Sequence, residues 1–286
     1  KKAFFTKGSI KDSNKIRKII IKKNIDTIIH LAAHLNVKEA ENNKKKYNAN
    51  NIKGTHEVIK ACKNSKVRNV IFSSSCSVYG GVNGSVSEQK KPKPKGFYAY
   101  TKYKGEQIIK KYSKIYNYNY AILRYFNVAG ASNSNKIGEI QRSYGHLIKN
   151  LAIQSLKKQP KIFIFGKNYN TKDGTCIRDY IHILDLVDAH LKSLNYINIH
   201  SKSLILNCGY GKGYSVLEIV DKSKKFIKGL ILKFKNRRIG DASSAYCSNY
   251  KLKKTLKWKP KYAGITHMIN SAIKWENNLK KKIISS

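Results

Sequence analysis

The sequence predicts a doubly wound α/β parallel sheet joined to a smaller C-terminal domain. Two observations carry this: short β-branched runs alternate with helix-period segments through the first half, and that rhythm loosens in the second half without a long linker. Ile25–Leu31 is short and rich in isoleucine, as a strand buried on both faces requires. A helix is predicted before it, from Ser13 to about Lys23, and another after it, from about Asn50 to Asn64. A strand at Val67–Phe72, a helix at about Tyr98–Tyr116 and a strand at Tyr120–Phe126 continue the alternation, with right-handed crossovers expected. The second half reads as a helix near His146–Lys157, a strand at Ile162–Phe165, a helix near Leu184–Tyr196 and a strand at Leu204–Cys208. Ser215 and Glu218 have capping-box spacing at the start of a further helix, and a last helix spans about Thr266–Leu279.

Composition narrows the function classes. The 286 residues suffice for one large domain or two sharing a core, and no run of eighteen apolar residues suggests a membrane span. Lys and Arg total 58 against 16 Asp and Glu, a formal charge of +42. The lysines are scattered among Asn, Ile and Tyr over helices, loops and both ends, so a nucleic-acid partner is not expected. Runs such as Asn43-Lys44-Lys45-Lys46 and Lys280-Lys281-Lys282 read as solvated faces or frayed ends. Five cysteines without a CxxC pair point to reduced thiols and the cytoplasm, and the eight histidines show no metal-ligand spacing. The chain opens Lys1-Lys2-Ala3 without an initiator Met or a signal-peptide core, and that start reads as a cut.

Two segments carry chemistry. Phe72-Ser73-Ser74-Ser75-Cys76-Ser77 is a strand whose C-terminal end breaks into hydroxyl residues, the end at which parallel sheets place ligands. Tyr98 and Lys102 stand four apart on a helix and share a face. A phenol of reference pKa about 10 is a poor base at neutral pH, and a neighbouring ammonium stabilises its phenolate. Tyr100 and Lys104 satisfy the same spacing, so the residues alone leave two registers open. The loop Gly209-Tyr210-Gly211-Lys212-Gly213 follows a strand but has GxGxG spacing and no following acid, so a tight turn is expected there, not a dinucleotide cradle.

Taken in order, six segments resemble the UDP-glucose 4-epimerases of the extended short-chain dehydrogenases. They are the Ser75 strand end, the Tyr98–Lys102 helix, Leu123–Ala131, Asp173–His182, Asn207–Gly211 and Arg237–Asp241. The resemblance covers nearly the whole chain. It implies a Rossmann-like sheet, with residues 1–127 the remainder of an NAD-binding domain and 128–286 mainly a UDP-sugar domain, some segments returning to the first. It implies epimerisation at carbon 4 of a UDP-hexose by transient oxidation, with NAD as cofactor and a homodimer as the assembly. By resemblance Tyr98 is the base, chosen over Tyr100 by its offset from Glu106-Gln107. Lys102 is its partner, and Ser75 the hydroxyl on the reacting oxygen. Asn51, Ser73 and Tyr125 match cofactor-side positions, as do Tyr98 and Lys102. Ser77, Asn127, His146 and Leu147 match substrate-binding positions. Arg178 and Arg238 match the diphosphate arginines, and Asp241 an acid on the uridine ribose.

Departures from the family pattern also carry expectations. The family's first strand, glycine-rich turn and helix, roughly fifty residues, would precede Phe4–Ile10. On that reading this chain lacks the pyrophosphate cradle, exposes sheet edges and is not expected to hold NAD or fold stably by itself. Ser9 replaces an adenine-contacting Asp, and Leu35 stands near a position often Lys. Cys76 and Ser77 stand where related dehydratases and decarboxylases carry acids, so the chemistry stops at epimerisation. Ala245 is small where the family varies beside the sugar's 2-position, so N-acetylated UDP-hexoses are expected to be accepted as well. Epimerases of UDP-glucuronate or UDP-arabinose share these motifs. A non-catalytic sugar-nucleotide binder is the remaining alternative, and intact Tyr98, Lys102 and Ser75 argue against it.

Overall fold

The computed structural model describes residues 3–140, 146–238 and 241–284. The chain forms two compact units. The first comprises Lys1–Gly80, Pro92–Arg124 and Ser193–Leu206; the second comprises Gly81–Lys91, Tyr125–Lys192 and Asn207–Ser286.

Unit one is built on a sheet of four strands in the order Thr27–His30, Asn69–Ser75, Asn119–Tyr125 and Leu204–Cys208. The first two run parallel, Thr27 opposite Asn69 through His30 opposite Phe72. Asn69–Ser74 are buried without alternation, as expected of a strand covered on both faces. The helix Phe97–Tyr116 turns Ala99, Lys102, Gly105, Glu106 and Ile109 inward, steps of three and four that keep one face against the sheet. Gly105 allows this approach: a Cβ there would lie 2.5 Å from the Phe72 ring. Ile109, Val70, Phe72 and Ile122 close the core beneath it.

The helix expected over 50–64 is different in kind. Asn48–Lys53 is a π-helical turn, followed by an α-helix Gly54–Lys60. The last residues peel into a turn that ends on Asn64 at φ 51°, a left-handed conformation that asparagine tolerates. The strand expected over 25–31 is shorter, Thr27–His30.

Unit two packs helices Leu147–Gln154, Val216–Ser223 and Ile265–Ile284 around Ile148, Leu151, Ile164, Ile219, Met268 and Ile269. Its larger sheet runs Asn83–Val86, Ser244–Cys247, Ile177–His182, Asn127–Ala129, with Gly213–Ser215 antiparallel to the third. Lys161–Phe165 and Ile231–Lys235 form a parallel pair. Ser215 caps its helix as expected, its hydroxyl accepting from the Glu218 N–H at 3.0 Å. The final helix reaches Ile284, past the expected Leu279, so Lys280-Lys281-Lys282 belong to regular helix and not to a frayed end. Inside this unit Lys149 and Glu276, 4% and 0% exposed, form an ion pair, and Lys149 also donates to the Glu139 carbonyl. Among the described residues no helix is long and apolar enough to cross a membrane.

Candidate active site

The strand Asn69–Ser75 and the helix Phe97–Tyr116 bring the first set of candidates together in unit one. Ser75 is the last residue of its strand and caps the 3-10 turn Cys76–Tyr79. Its oxygen accepts from the Ser77 N–H at 3.2 Å and from the Ser77 hydroxyl at 3.0 Å. Two donors on that oxygen leave the Ser75 proton to be given to another acceptor. Lys102 is 3% exposed; its ammonium donates to the Ser73 carbonyl at 2.8 Å and lies 5.4 Å from the Phe72 ring centre. Burial lowers its pKa to about 8.

Tyr98 is half-buried one helical turn before Lys102. In the alternative register Tyr100 is 40% exposed, with Lys104 over its ring at 5.5 Å. The Thr101 hydroxyl donates to the Tyr98 carbonyl at 2.8 Å and receives the Asn51 amide at 3.2 Å. Asn51 sits in the π-helical turn, a deformation that frequently marks functional positions. Its amide also exchanges hydrogen bonds with the His34 backbone, at 2.8 and 3.0 Å, so it ties the loop after the first strand to the tyrosine helix.

The remaining candidates lie in unit two. The Tyr125 hydroxyl meets His190 Nε2 at 2.6 Å, while His190 Nδ1 meets the Leu186 carbonyl at 2.8 Å. A carbonyl only accepts, so Nδ1 carries the proton and Nε2 accepts from Tyr125. Asn127 donates to the Asp179 carbonyl at 2.8 Å. Arg178 reaches Asp241 at 3.4 Å, and Ala245 stands opposite Arg178 in the sheet. The Asp241 N–H closes a turn on the Arg238 carbonyl at 3.2 Å, and the Arg238 guanidinium covers the Phe165 ring at 3.9 Å. Ile239 and Gly240 of the same motif lie outside the described residues. Exposed His146 precedes the helix that half-buried Leu147 begins.

The glycine loop is a turn wrapped around a carboxylate of the chain itself. The N–H groups of Tyr210, Gly211 and Cys247 converge on Asp179 at 3.0, 2.9 and 3.1 Å. Gly211 takes φ +73°, and a Cβ on Gly209 would lie 2.7 Å from an Asp179 oxygen. Burial pushes the Asp179 pKa up, against the pull of these N–H donors.

Residues 1–209 match the NAD dependent epimerase/dehydratase family. The chain belongs to that family. It is 36% identical to a UDP-glucose 4-epimerase of Lactobacillus helveticus over 98% of this chain and 86% of that protein. A UDP-glucose 4-epimerase of Stenotrophomonas maltophila, solved with bound NAD and formylated UDP-arabinopyranose, superposes with a TM-score of 0.92 at 29% identity, covering 97% of this chain and 84% of that one. One from Bifidobacterium longum in complex with NAD+ and UDP superposes at 0.87 with 30% identity, over 97% and 84% of the two chains.

Within this family member, sequence reasoning missed three buried polar residues that surround the candidates: Ser74, Arg124 and Asp179. The spacing of Glu106, four residues after Lys102, held a signal that was read only as an alignment marker. For Asp179 no local signal existed, because its partners come from 210–211 and 247.

Proposed function

We propose that this protein interconverts UDP-hexoses by inverting carbon 4, UDP-glucose and UDP-galactose first, with NAD as resident cofactor. The observation that carries the reading is the juxtaposition of a buried ammonium, a half-buried phenol one turn earlier, and a serine hydroxyl with its proton free to donate. The lysine suits a pyridine nucleotide: among the described residues one acceptor, the Ser73 carbonyl, takes one of its three N–H groups, leaving donors for ribose hydroxyls. Tyr98 and Lys102, with Ser73 and Tyr125, are the groups that would hold the nicotinamide side, and Asn51 would act through the His34 loop it fixes.

Bound NAD supplies the acceptor and later the donor of a hydride. Tyr98, kept as phenolate by Lys102, takes the proton of the sugar's 4-hydroxyl. Ser75 donates to the same oxygen and holds it in place. Loss of that proton and of the hydride at carbon 4 leaves a 4-keto sugar. Return of both from the same groups to the opposite face of the sugar gives the epimer, with no net redox change. In unit two, Arg178 and Arg238 offer guanidinium forks to the diphosphate, Asp241 accepts from the uridine ribose, and Asn127, Ser77, His146 and Leu147 are assigned to the sugar's surroundings. Ala245 leaves room beside carbon 2, so UDP-N-acetylglucosamine is a second substrate.

Incubation of the NAD-loaded protein with UDP-galactose is expected to yield UDP-glucose without accumulation of reduced cofactor. An NAD-loaded protein inert to both the plain and the N-acetylated pair would end this reading. The same reading has the enzyme as a cytoplasmic homodimer without a nucleic-acid partner, in keeping with the unpaired thiols of Cys62, Cys76, Cys176, Cys208 and Cys247; sedimentation across a concentration series tests the dimer.

A pH dependence follows from Lys102. Its pKa near 8 means that it loses its charge as pH rises, and a neutral amine no longer stabilises the phenolate. The kcat/KM of the enzyme is expected to fall above about pH 8. In Lys102→Arg, whose guanidinium stays protonated, that descending limb is expected to vanish, whatever the residual rate. A limb unchanged in the arginine variant assigns it to another group.

A further inference from the structure

The strand end bearing Ser73 and Ser75 is fastened to the helix bearing Tyr98 and Lys102 at two places. The first is the Lys102 bond to the Ser73 carbonyl. The second lies one helical turn on: the Ser74 hydroxyl donates to Glu106 Oε1 at 2.6 Å. The Glu106 carboxylate is itself gripped by Arg124, through Nε at 2.8 Å and a terminal nitrogen at 2.7 Å. Ser74, Glu106 and Arg124 are 2%, 0% and 2% exposed. Arg124 also covers the ring of Tyr79 at 4.7 Å, and Tyr79 closes the 3-10 turn that Ser75 opens.

A buried ion pair brings little net stability over a well-packed apolar cluster of the same volume. What this one supplies is geometry. A single anchor at Ser73 would leave the strand end free to pivot about that bond. A second anchor one residue and one turn further on sets both its advance and its rotation against the helix. The serine between the two anchored or reacting neighbours is the link: Ser74 has no route to the substrate, but its bond decides where the Ser75 oxygen lies relative to the Tyr98 side of the helix.

We propose that Ser74 is a positioning residue, and that its bond to the Glu106–Arg124 pair holds the Ser75 hydroxyl in register with Tyr98 and Lys102. The proposal rests on the epimerase reading, in which phenol and hydroxyl act on one oxygen. Misplacement of a reacting group by about 1 Å costs on the order of 10²-fold in rate, so partial loosening of the strand end should cost about tenfold.

The test compares Ser74→Ala and Ser74→Thr in the NAD-loaded protein. Alanine leaves both buried charges paired and removes one hydroxyl. It is expected to lower kcat for UDP-galactose about tenfold, with KM and calorimetric UDP affinity within about twofold of the parent. The groups assigned to the diphosphate belong to the other unit. Threonine, which keeps the hydroxyl, is expected to restore kcat. An unchanged kcat in Ser74→Ala overturns the proposal, as does a loss that threonine fails to restore or one shared equally by kcat, UDP affinity and thermal midpoint. A parent protein that loads NAD but does not epimerise removes the epimerase reading first, and this inference with it.

Discussion

Tyr98→Phe is expected to lower kcat for UDP-galactose epimerisation by roughly two to four orders of magnitude, the usual worth of a positioned acid–base group. Phenylalanine keeps the ring and its packing on the half-buried helix face and removes only the hydroxyl that moves the proton. NAD content and UDP affinity should therefore stay near those of the parent. The structure favours this tyrosine over its neighbour on physical grounds. Tyr100 is more exposed and pairs with Lys104, whose ammonium has no resolved shift, whereas Lys102 is buried and carries a lowered pKa. A Tyr98→Phe variant within about threefold of the parent, paired with a collapsed Tyr100→Phe, would move the base to the second register.

The largest expected effect on stability lies in unit two, at Glu276. Its carboxylate and the Lys149 ammonium neutralise each other with almost no access to water. Glu276→Ala leaves that ammonium buried with the Glu139 carbonyl as its remaining partner. Uncompensated buried charges of this kind cost about 3–5 kcal/mol. Urea unfolding monitored by Trp275, whose indole donates to the same Glu139 carbonyl at 2.9 Å, should show the shift directly. The double variant Lys149→Met with Glu276→Leu is expected to recover most of the loss, because apolar residues of similar volume replace buried pairs at little cost. If the single variant unfolds with the parent, water reaches Lys149 and the pair is not sealed.

Sequence patterning revealed unit one more readily than unit two. Ile25–Leu31, Val67–Phe72 and Tyr120–Phe126 are continuous apolar runs, and burial on both faces leaves that mark whatever the neighbours are. The strands Asn83–Val86, Ile177–His182 and Ser244–Cys247 carry Asn, Gly, Ser, Arg and Asp instead. They are strands because they find one another across the chain, and Arg178 and Asp179 stand in them for what they bind, so no local pattern announces them. The π-helical turn at Asn48–Lys53 was equally silent: its residues look helical, and only the engagement of Asn51 with His34 and Thr101 explains the slip. Ser75, Tyr98 and Lys102 were legible because strand end and helix spacing are local facts. Ser74 was not, since a serine facing a buried glutamate looks in sequence like any other serine of a polar turn.

The pairing of Asn83–Val86 with Ser244–Cys247 has a consequence for how the protein is made. Ser243 donates to Asn83 across 160 positions of sequence. During synthesis the earlier strand leaves the ribosome without its partner, and at about 5–20 residues per second the wait is on the order of ten to thirty seconds. Unit one has most of its sheet in hand by Tyr125, whereas the larger sheet of unit two is finished only when the last quarter of the nascent chain arrives. Until then Val82 and Val86, buried in the finished protein, face solvent or a chaperone.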